Sequence, residues 1–223
     1  EDYLTGRKYD LETFSPVDDQ GRFTDRVPRL KGKKVLEANR EVVERLEREG
    51  TLLASRTVSH SYPHCWRCRR PVIFRATQQW FISLSNRDLR RRALEEVGRT
   101  DWIPPAGEGR ISAMLEQRPD WCISRQRKWG VPIPVFYCRK CQTPLLDLKV
   151  IDRIIALFRE RGADCWFELS EEEILPADIA CASCGSRMFF KENDIFDVWF
   201  ESGSSHRGVV INEPSLSFPA DLY

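Results

Sequence analysis

Two Cys-x-x-Cys pairs constrain this chain more than any other feature. Cys138 with Cys141 and Cys181 with Cys184 are separated by 39 residues. Four thiolates in this spacing are the donor set of a closed tetrahedral zinc site, and its role is structural because no coordination position is left open. The spacer must then fold back on itself between the pairs. A third pair, Cys65 and Cys68, lies in HSYPHCWRC and supplies only half a shell. His60 and His64 are at hand, but four ligands from nine residues would be unusually tight, so partners outside this chain are the expectation. Cys122 and Cys165 stand alone, and the residues around them assign them no role. Paired spacing, with no apolar leader in the opening EDYLTGRKYD, points to metal in a reducing compartment rather than a disulfide framework.

Charge excludes little. With 35 basic and 34 acidic residues the net charge is +1, so bulk electrostatics makes no case for nucleic acid. Local distribution makes one, since arginines crowd at Arg67, Arg69, Arg70, Arg75, Arg87, Arg90, Arg91, Arg92, Arg118, Arg125 and Arg127. A solvated surface explains the same residues. No apolar run approaches the roughly 20 residues of a membrane helix, so neither a membrane nor a secretory route is expected.

Punctuation and periodicity place the elements. PVDDQGRF reads as a hairpin or loop. Asn39 is expected to cap a helix carrying Val42, Val43 and Leu46 that Gly50 stops. Ser85 or Asn86 would cap a second helix, with Leu89, Ala93, Leu94 and Val97 inward and Arg90 to Arg92 outward. A brief helix through Ile111, Met114 and Leu115 must end before Pro119. VPIPVFYC is strand-like and puts Cys138 at a strand end. KVIDRIIALFRERG is helical and stops at Gly162, and Ser170 to Glu173 matches a capping box. DIFDVWF alternates like a strand leading into a small-residue loop, ESGSS. Asp194, Asp197, Glu201 and His206 lack any recognised metal-ligand spacing.

Taken in order, HSYPHCWRC, FRATQQWF, RPDWCISRQRKWGVPIPVFYC and DVWFESGSSH resemble the isoleucyl-tRNA synthetases, a branch of the class I aminoacyl-tRNA synthetases. The resemblance implies an α/β chain: part of a Rossmann-type catalytic domain with a zinc-knuckle insertion and the tail of an editing domain. Residues 1–57 would be the end of the editing domain and 58–137 a catalytic segment. Residues 138–190 would be the zinc-bearing insertion and 191–223 a return to the catalytic body. Asp2 would be the editing aspartate that anchors the amino group of a misattached amino acid. Cys65 and Cys68 would join a second pair outside this sequence. Trp199 would shape the isoleucine pocket, with Arg125, Arg127 and Trp129 at the active-site rim or against the tRNA end; an arginine–aromatic stack within SRQRKWG is the structural counter-reading. The implied substrates are L-isoleucine, ATP with Mg2+ and tRNA(Ile), the implied cofactor is Zn2+, and the full enzyme would be a cytoplasmic monomer. Glu201 stands where aspartate is common in the family.

Discrimination explains the editing domain. One methylene separates isoleucine from valine and supplies only about 1 to 3 kcal/mol, a magnitude established on isoleucyl enzymes themselves rather than obtained from this chain. The HIGH element, the KMSKS loop and the anticodon-binding domain of such enzymes are not in the sequence, so the expectation is an internal fragment that does not aminoacylate alone. A zinc-stabilised nucleic-acid-binding module without catalysis, or a scaffold, is the alternative that the arginines and cysteine pairs also allow.

Overall fold

The computed structural model describes residues 2–222, and the Asp2 side chain lies outside what is described. The chain divides into two compact units, 1–78 and 79–223.

The first unit opens with helix α1 (Asp2–Lys8), which no periodic signal in the sequence marks. The PVDDQGRF hairpin is present: Val17 pairs with Phe23, and the Asp18 carboxylate accepts the amides of Gln20 and Arg22, both at 2.9 Å. Gly21 closes this turn at φ +74°, a conformation that disfavours any side chain. Helix α2 (Val35–Arg48) starts four residues before Asn39, which therefore caps nothing. An antiparallel bridge to Arg22 holds Lys34 extended, and the Lys34 carbonyl already accepts from Ala38 at 3.0 Å. Gly50, at φ +67°, ends the helix as its composition demands. Of α2 only Ala38 is buried; Val42, Val43 and Leu46 all remain exposed in this unit.

In the second unit every strand pair among the described residues is antiparallel and short. Strand β1 (Phe81–Ile82) pairs with β2 (Trp121–Cys122). Strand β3 (Ser124–Arg125) pairs with a late strand, 195–196. Strand β4 (Phe136–Cys138) is the centre of a three-stranded sheet between β5 (Pro144–Leu145) and β6 (Phe189–Lys191). The 195–196 strand is thus β7 (Ile195–Phe196).

Helix α3 (Leu89–Val97) receives no side-chain cap from Ser85 or Asn86. The chain enters it through Arg87 and Asp88, both left-handed at φ +50° and +55°, while the Leu84 carbonyl accepts from Arg90. The Arg90 guanidinium donates to the carbonyls of Leu115, Glu116 and Arg118, which terminate helix α4 (Ala106–Gln117). An arginine expected on a solvated or phosphate-facing surface is instead a helix C-cap, satisfying carbonyls left without intrahelical donors. Helix α4 does end before Pro119.

The core lies beneath the β4 sheet. Asp147 caps helix α5 (Leu148–Arg161) through the amides of Lys149 and Val150, and Gly162 stops it at φ +79°. Short helices α6 (Cys165–Glu168) and α7 (Glu171–Ile174) follow, the latter with the expected Ser170–Glu173 capping box. Val150, Ile154, Trp166 and Ile174 pack with Phe136 and Phe189 into one buried cluster. Trp166 is its centre: its ring meets Phe136 edge-on at 4.9 Å, and its indole N–H donates to the Glu192 carbonyl at 3.1 Å. The Lys191 ammonium donates to the Trp166 and Leu169 carbonyls, both at 2.6 Å, so the buried indole is bracketed by satisfied polar groups.

The ESGSS segment is not a loop. It lies in helix α8 (Val198–Ser205), because the Asp197 carboxylate accepts the Trp199 amide at 2.9 Å and so starts a helix directly after β7. A π-helical turn (His206–Val210) follows. Among the described residues no helix is long and apolar enough to cross a membrane.

Replacing Trp166 with alanine should cost about 3 to 5 kcal/mol, the range for a large aromatic removed from a packed core. Denaturant unfolding followed by tryptophan fluorescence measures it.

Candidate metal centre and the adjoining cleft

Cys138 at the end of β4 is buried, and Cys141 follows it on the turn to β5. Cys181 and Cys184 come from the turn before β6. All four sulfurs lie within 4.8 Å of one another, with Cys138–Cys184 and Cys141–Cys181 each at 3.5 Å. A tetrahedral zinc with Zn–S bonds near 2.3 Å needs sulfurs about 3.8 Å apart, so this arrangement is able to hold the ion.

The backbone prepares each half of the site in the same way. The Cys138 amide donates to Thr143 O and the Cys138 carbonyl accepts from Gln142; the Cys181 amide donates to Ser186 O and its carbonyl accepts from Gly185. In both turns the fourth residue after the first cysteine is left-handed, Gln142 at φ +59° and Gly185 at φ +69°. Cys65 and Cys68 sit on a third turn of this design, with Cys65 N–H to Arg70 O, Arg69 N–H to Cys65 O, both at 2.8 Å, and Arg69 at φ +58°. Amide donors from Cys68 and Arg67 hold the Cys65 thiol below its ordinary pKa. His60 and His64 do not gather around this half-site: each Nδ1 contacts a neighbouring carbonyl, Ser61 O or Tyr62 O, at 2.9 Å. Among the described residues no third metal-ligating group joins Cys65 and Cys68. The left-handed position was legible only where glycine fills it, at Gly185.

Four sulfurs this close cannot all ionise unaided. The Thr143 hydroxyl and amide lower Cys141 to about 6. The Ser186 amide pulls Cys184 down, but burial and the neighbouring Cys138, Cys141 and Cys181 thiols outweigh it and push Cys184 up to about 12. One sulfur carries charge while another keeps its proton, as close like charges require.

The β4 sheet that carries Cys138 is tied to the neighbouring segments through Glu192. One of its oxygens accepts the Trp80 indole N–H at 3.1 Å and the Tyr137 hydroxyl at 2.9 Å; the other accepts the amides of Asn193 and Asp194. Burial, reinforced by Glu192, raises the Tyr137 pKa, so the phenol stays a donor. Gln79 and Ser124 link TQQWF to SRQR by a 2.7 Å hydrogen bond. Glu192 and Gln79 were not singled out in the sequence, where an isolated polar residue gives no periodic signal.

Beside the knuckle, Arg125, Arg127, Trp129, Val131, Asp197 and Glu201 line a cleft of about 580 Å³. Arg125 donates to the carbonyls of Cys122 and Ser124 and forms an ion pair with Asp197, itself 4% exposed. Asp197, set aside in the sequence for want of ligand spacing, therefore does two things: one oxygen caps α8 and the other holds β3. Glu201 accepts the Val131 amide at 3.3 Å. Trp129 is 94% exposed, so the arginine–aromatic stack considered for SRQRKWG is replaced by the Arg125–Asp197 pair. Gly130 has φ +150°, and a Cβ there would overlap the Ile195 side chain. Trp199, 73% exposed on α8, lies outside the lining of the cleft.

Residues 10–223 match the family model of the class I tRNA synthetases (I, L, M and V). The chain belongs to this family. Isoleucine–tRNA ligases of Petrotoga mobilis and Caldanaerobacter subterraneus are each 51% identical to it over its whole length, and that of Persephonella marina 53%. The chain spans about a quarter of the length of these curated relatives, 24% of the first two and 25% of the third. A match this long to synthetases does not favour a free-standing binding module. As a class I synthetase domain the chain mixes short helices with short strands.

Asp197→Ala should destabilise this synthetase domain by about 1 to 3 kcal/mol, through loss of a helix cap and of one partner in a half-exposed ion pair. Asp197→Asn keeps a capping oxygen and should cost less. Comparing the two by chemical denaturation separates cap from charge. Proton release gives a second test. Near pH 7, Cys141 is already ionised and Cys184 is not, so zinc binding to the four-cysteine site should release at least one proton but fewer than four. Calorimetric titration in buffers of different ionisation enthalpy counts them.

Proposed function

We propose that this chain is part of an isoleucine–tRNA ligase, which activates L-isoleucine with ATP and Mg2+ and transfers it to tRNA(Ile). The observation that carries the reading is identity at about half of all positions, from end to end, to proteins named isoleucine–tRNA ligase. In this reading residues 58–137 and 191–223 belong to a Rossmann-type catalytic domain, 138–190 form the zinc knuckle, and 1–57 close an editing domain that hydrolyses misattached valine. Asp2 would anchor the amino group of the misattached residue there.

Cys138, Cys141, Cys181 and Cys184 would hold a structural Zn2+, which lets four sulfurs remain ionised side by side. Cys65 and Cys68 would share a second zinc with ligands elsewhere in the full polypeptide. The exposed Trp199 indole offers an apolar wall suited to a branched alkyl side chain. Its amide is fixed by Asp197, and Asp197 by Arg125, so pocket wall and cleft rim share one support. Arg125, Arg127 and Trp129 would form that rim against the adenylate or the tRNA end. Amino-acid activation here needs positioning and charge stabilisation rather than a covalent protein nucleophile. The full enzyme would act as a monomer in the cytoplasm.

The full-length enzyme should catalyse isoleucine-dependent ATP–pyrophosphate exchange, and the 223-residue chain alone should not. In the full enzyme Trp199→Ala should raise the isoleucine KM by about tenfold, the scale of one or two apolar contacts. Robust exchange by the 223-residue chain would overturn its reading as a dependent segment.

A further inference from the structure

Glu192, Asn193 and Asp194 form the short connection between β6, in the sheet that carries Cys138, and β7, which leads into the Asp197 cap and Trp199. The Glu192 carboxylate is filled by four uncharged donors. One oxygen takes the Trp80 indole N–H at 3.1 Å and the Tyr137 hydroxyl at 2.9 Å; the other takes the amides of Asn193 at 2.7 Å and Asp194 at 3.1 Å. Its main chain is equally committed, the N–H to Val135 O at 2.8 Å and the carbonyl to the Trp166 indole N–H at 3.1 Å. Every polar atom of this residue therefore has a partner. Four donors demand a group that only accepts, which is an ionised carboxylate.

The connection that Glu192 holds runs directly to the cleft. The Asp194 carbonyl accepts the Ile133 amide at 3.0 Å, and its carboxylate accepts the Gln126 side-chain amide at 2.6 Å. Ile195 lies between Arg125 on one side and Pro132 on the other. Two residues on, Asp197 takes the Arg125 guanidinium and the Trp199 amide. No glycine stands between Glu192 and Trp199 to absorb a displacement. One anion thus sets the β4 sheet, the Trp80 segment and the strand that delivers Trp199 against one another. A pocket that separates amino acids by one methylene is sensitive to shifts of this kind, because misplacement by about 1 Å from a distant change is enough to impair a site.

We propose that Glu192 is a positioning residue for amino-acid selection. It touches no substrate and acts through β7 and Asp197 on the placement of Trp199. The assignment rests on the ligase reading above, and its test separates the two.

In the zinc-loaded full-length enzyme, Glu192→Gln keeps the shape of the side chain. The two main-chain amides retain the glutamine oxygen, so its NH2 faces Trp80 and Tyr137. The hydroxyl can turn to accept, but the indole N–H cannot. The isoleucine KM should rise about tenfold, the scale of one charge-assisted hydrogen bond, and the preference for isoleucine over valine in ATP–pyrophosphate exchange should fall. The kcat, the ATP KM and the zinc content should stay at wild-type values. Adding Trp80→Phe removes the stranded indole donor and should restore most of the KM and the preference. Ile154→Ala, a substitution in the core around Trp166, should leave both unchanged. An unaltered KM and preference in Glu192→Gln, or no recovery with Trp80→Phe, would overturn the assignment. So would loss of zinc in Glu192→Gln or the same KM rise in Ile154→Ala, either of which would make Glu192 a structural staple only. Absence of isoleucine-dependent exchange in the wild-type enzyme would instead refute the ligase reading.

Discussion

Four sulfurs within 4.8 Å of one another form a cluster that its own charges oppose. The protein prepares it nevertheless, twice over, with turns whose amides point at the first cysteine of each pair and whose fourth following residue is left-handed. Such a turn is costly for Gln142 and cheap for Gly185, and in both halves two backbone hydrogen bonds close it. The knuckle sheet follows from this, because Cys138 ends β4, the central strand, and Cys181 belongs to the buried cluster around Phe136 and Trp166. The four-cysteine cluster and the hydrophobic core around Trp166 share Cys138 and Cys181.

From there the order spreads through few contacts. Tyr137, next to Cys138, reaches Glu192, and the same carboxylate oxygen holds the Trp80 indole. Asp197 performs the matching task on the other side, joining β3 to the start of α8. Each carboxylate accepts more than one donor, Glu192 tying Trp80 to Tyr137 and Asp197 tying Arg125 of the cleft to the start of α8. The unit around α2 lacks comparable support: Ala38 is its one buried apolar residue among those described, and Leu36, Val42, Val43 and Leu46 remain exposed. A surface of this kind suits a piece of a larger polypeptide, in agreement with relatives about four times as long.

What could be read beforehand depended on whether a local rule governed the position. The Ser170 capping box, the Gly162 and Gly50 stops and the Pro119 limit each rest on chemistry within a few residues, and each is present; the two Cys-x-x-Cys turns are local too, and their spacing marked the donor set that folding gathers across 39 residues. The misreadings arose where a distant partner decided. Asn39 is a good cap, but a bridge from Arg22 starts the helix earlier. Ser85 and Asn86 are good caps too, yet the chain enters α3 through left-handed residues while Arg90 reaches the end of α4. ESGSS has a loop composition, and Asp197, committed by Arg125, makes it helical. Glu192 and Gln79 were invisible because their roles exist only after folding has brought their donors together.

X-ray absorption at the zinc K-edge examines the four-cysteine centre directly. The zinc-loaded protein should show four sulfur scatterers near 2.3 Å and no imidazole outer-shell signal. A mixed sulfur–nitrogen shell, or zinc surrounded by oxygen, would contradict it.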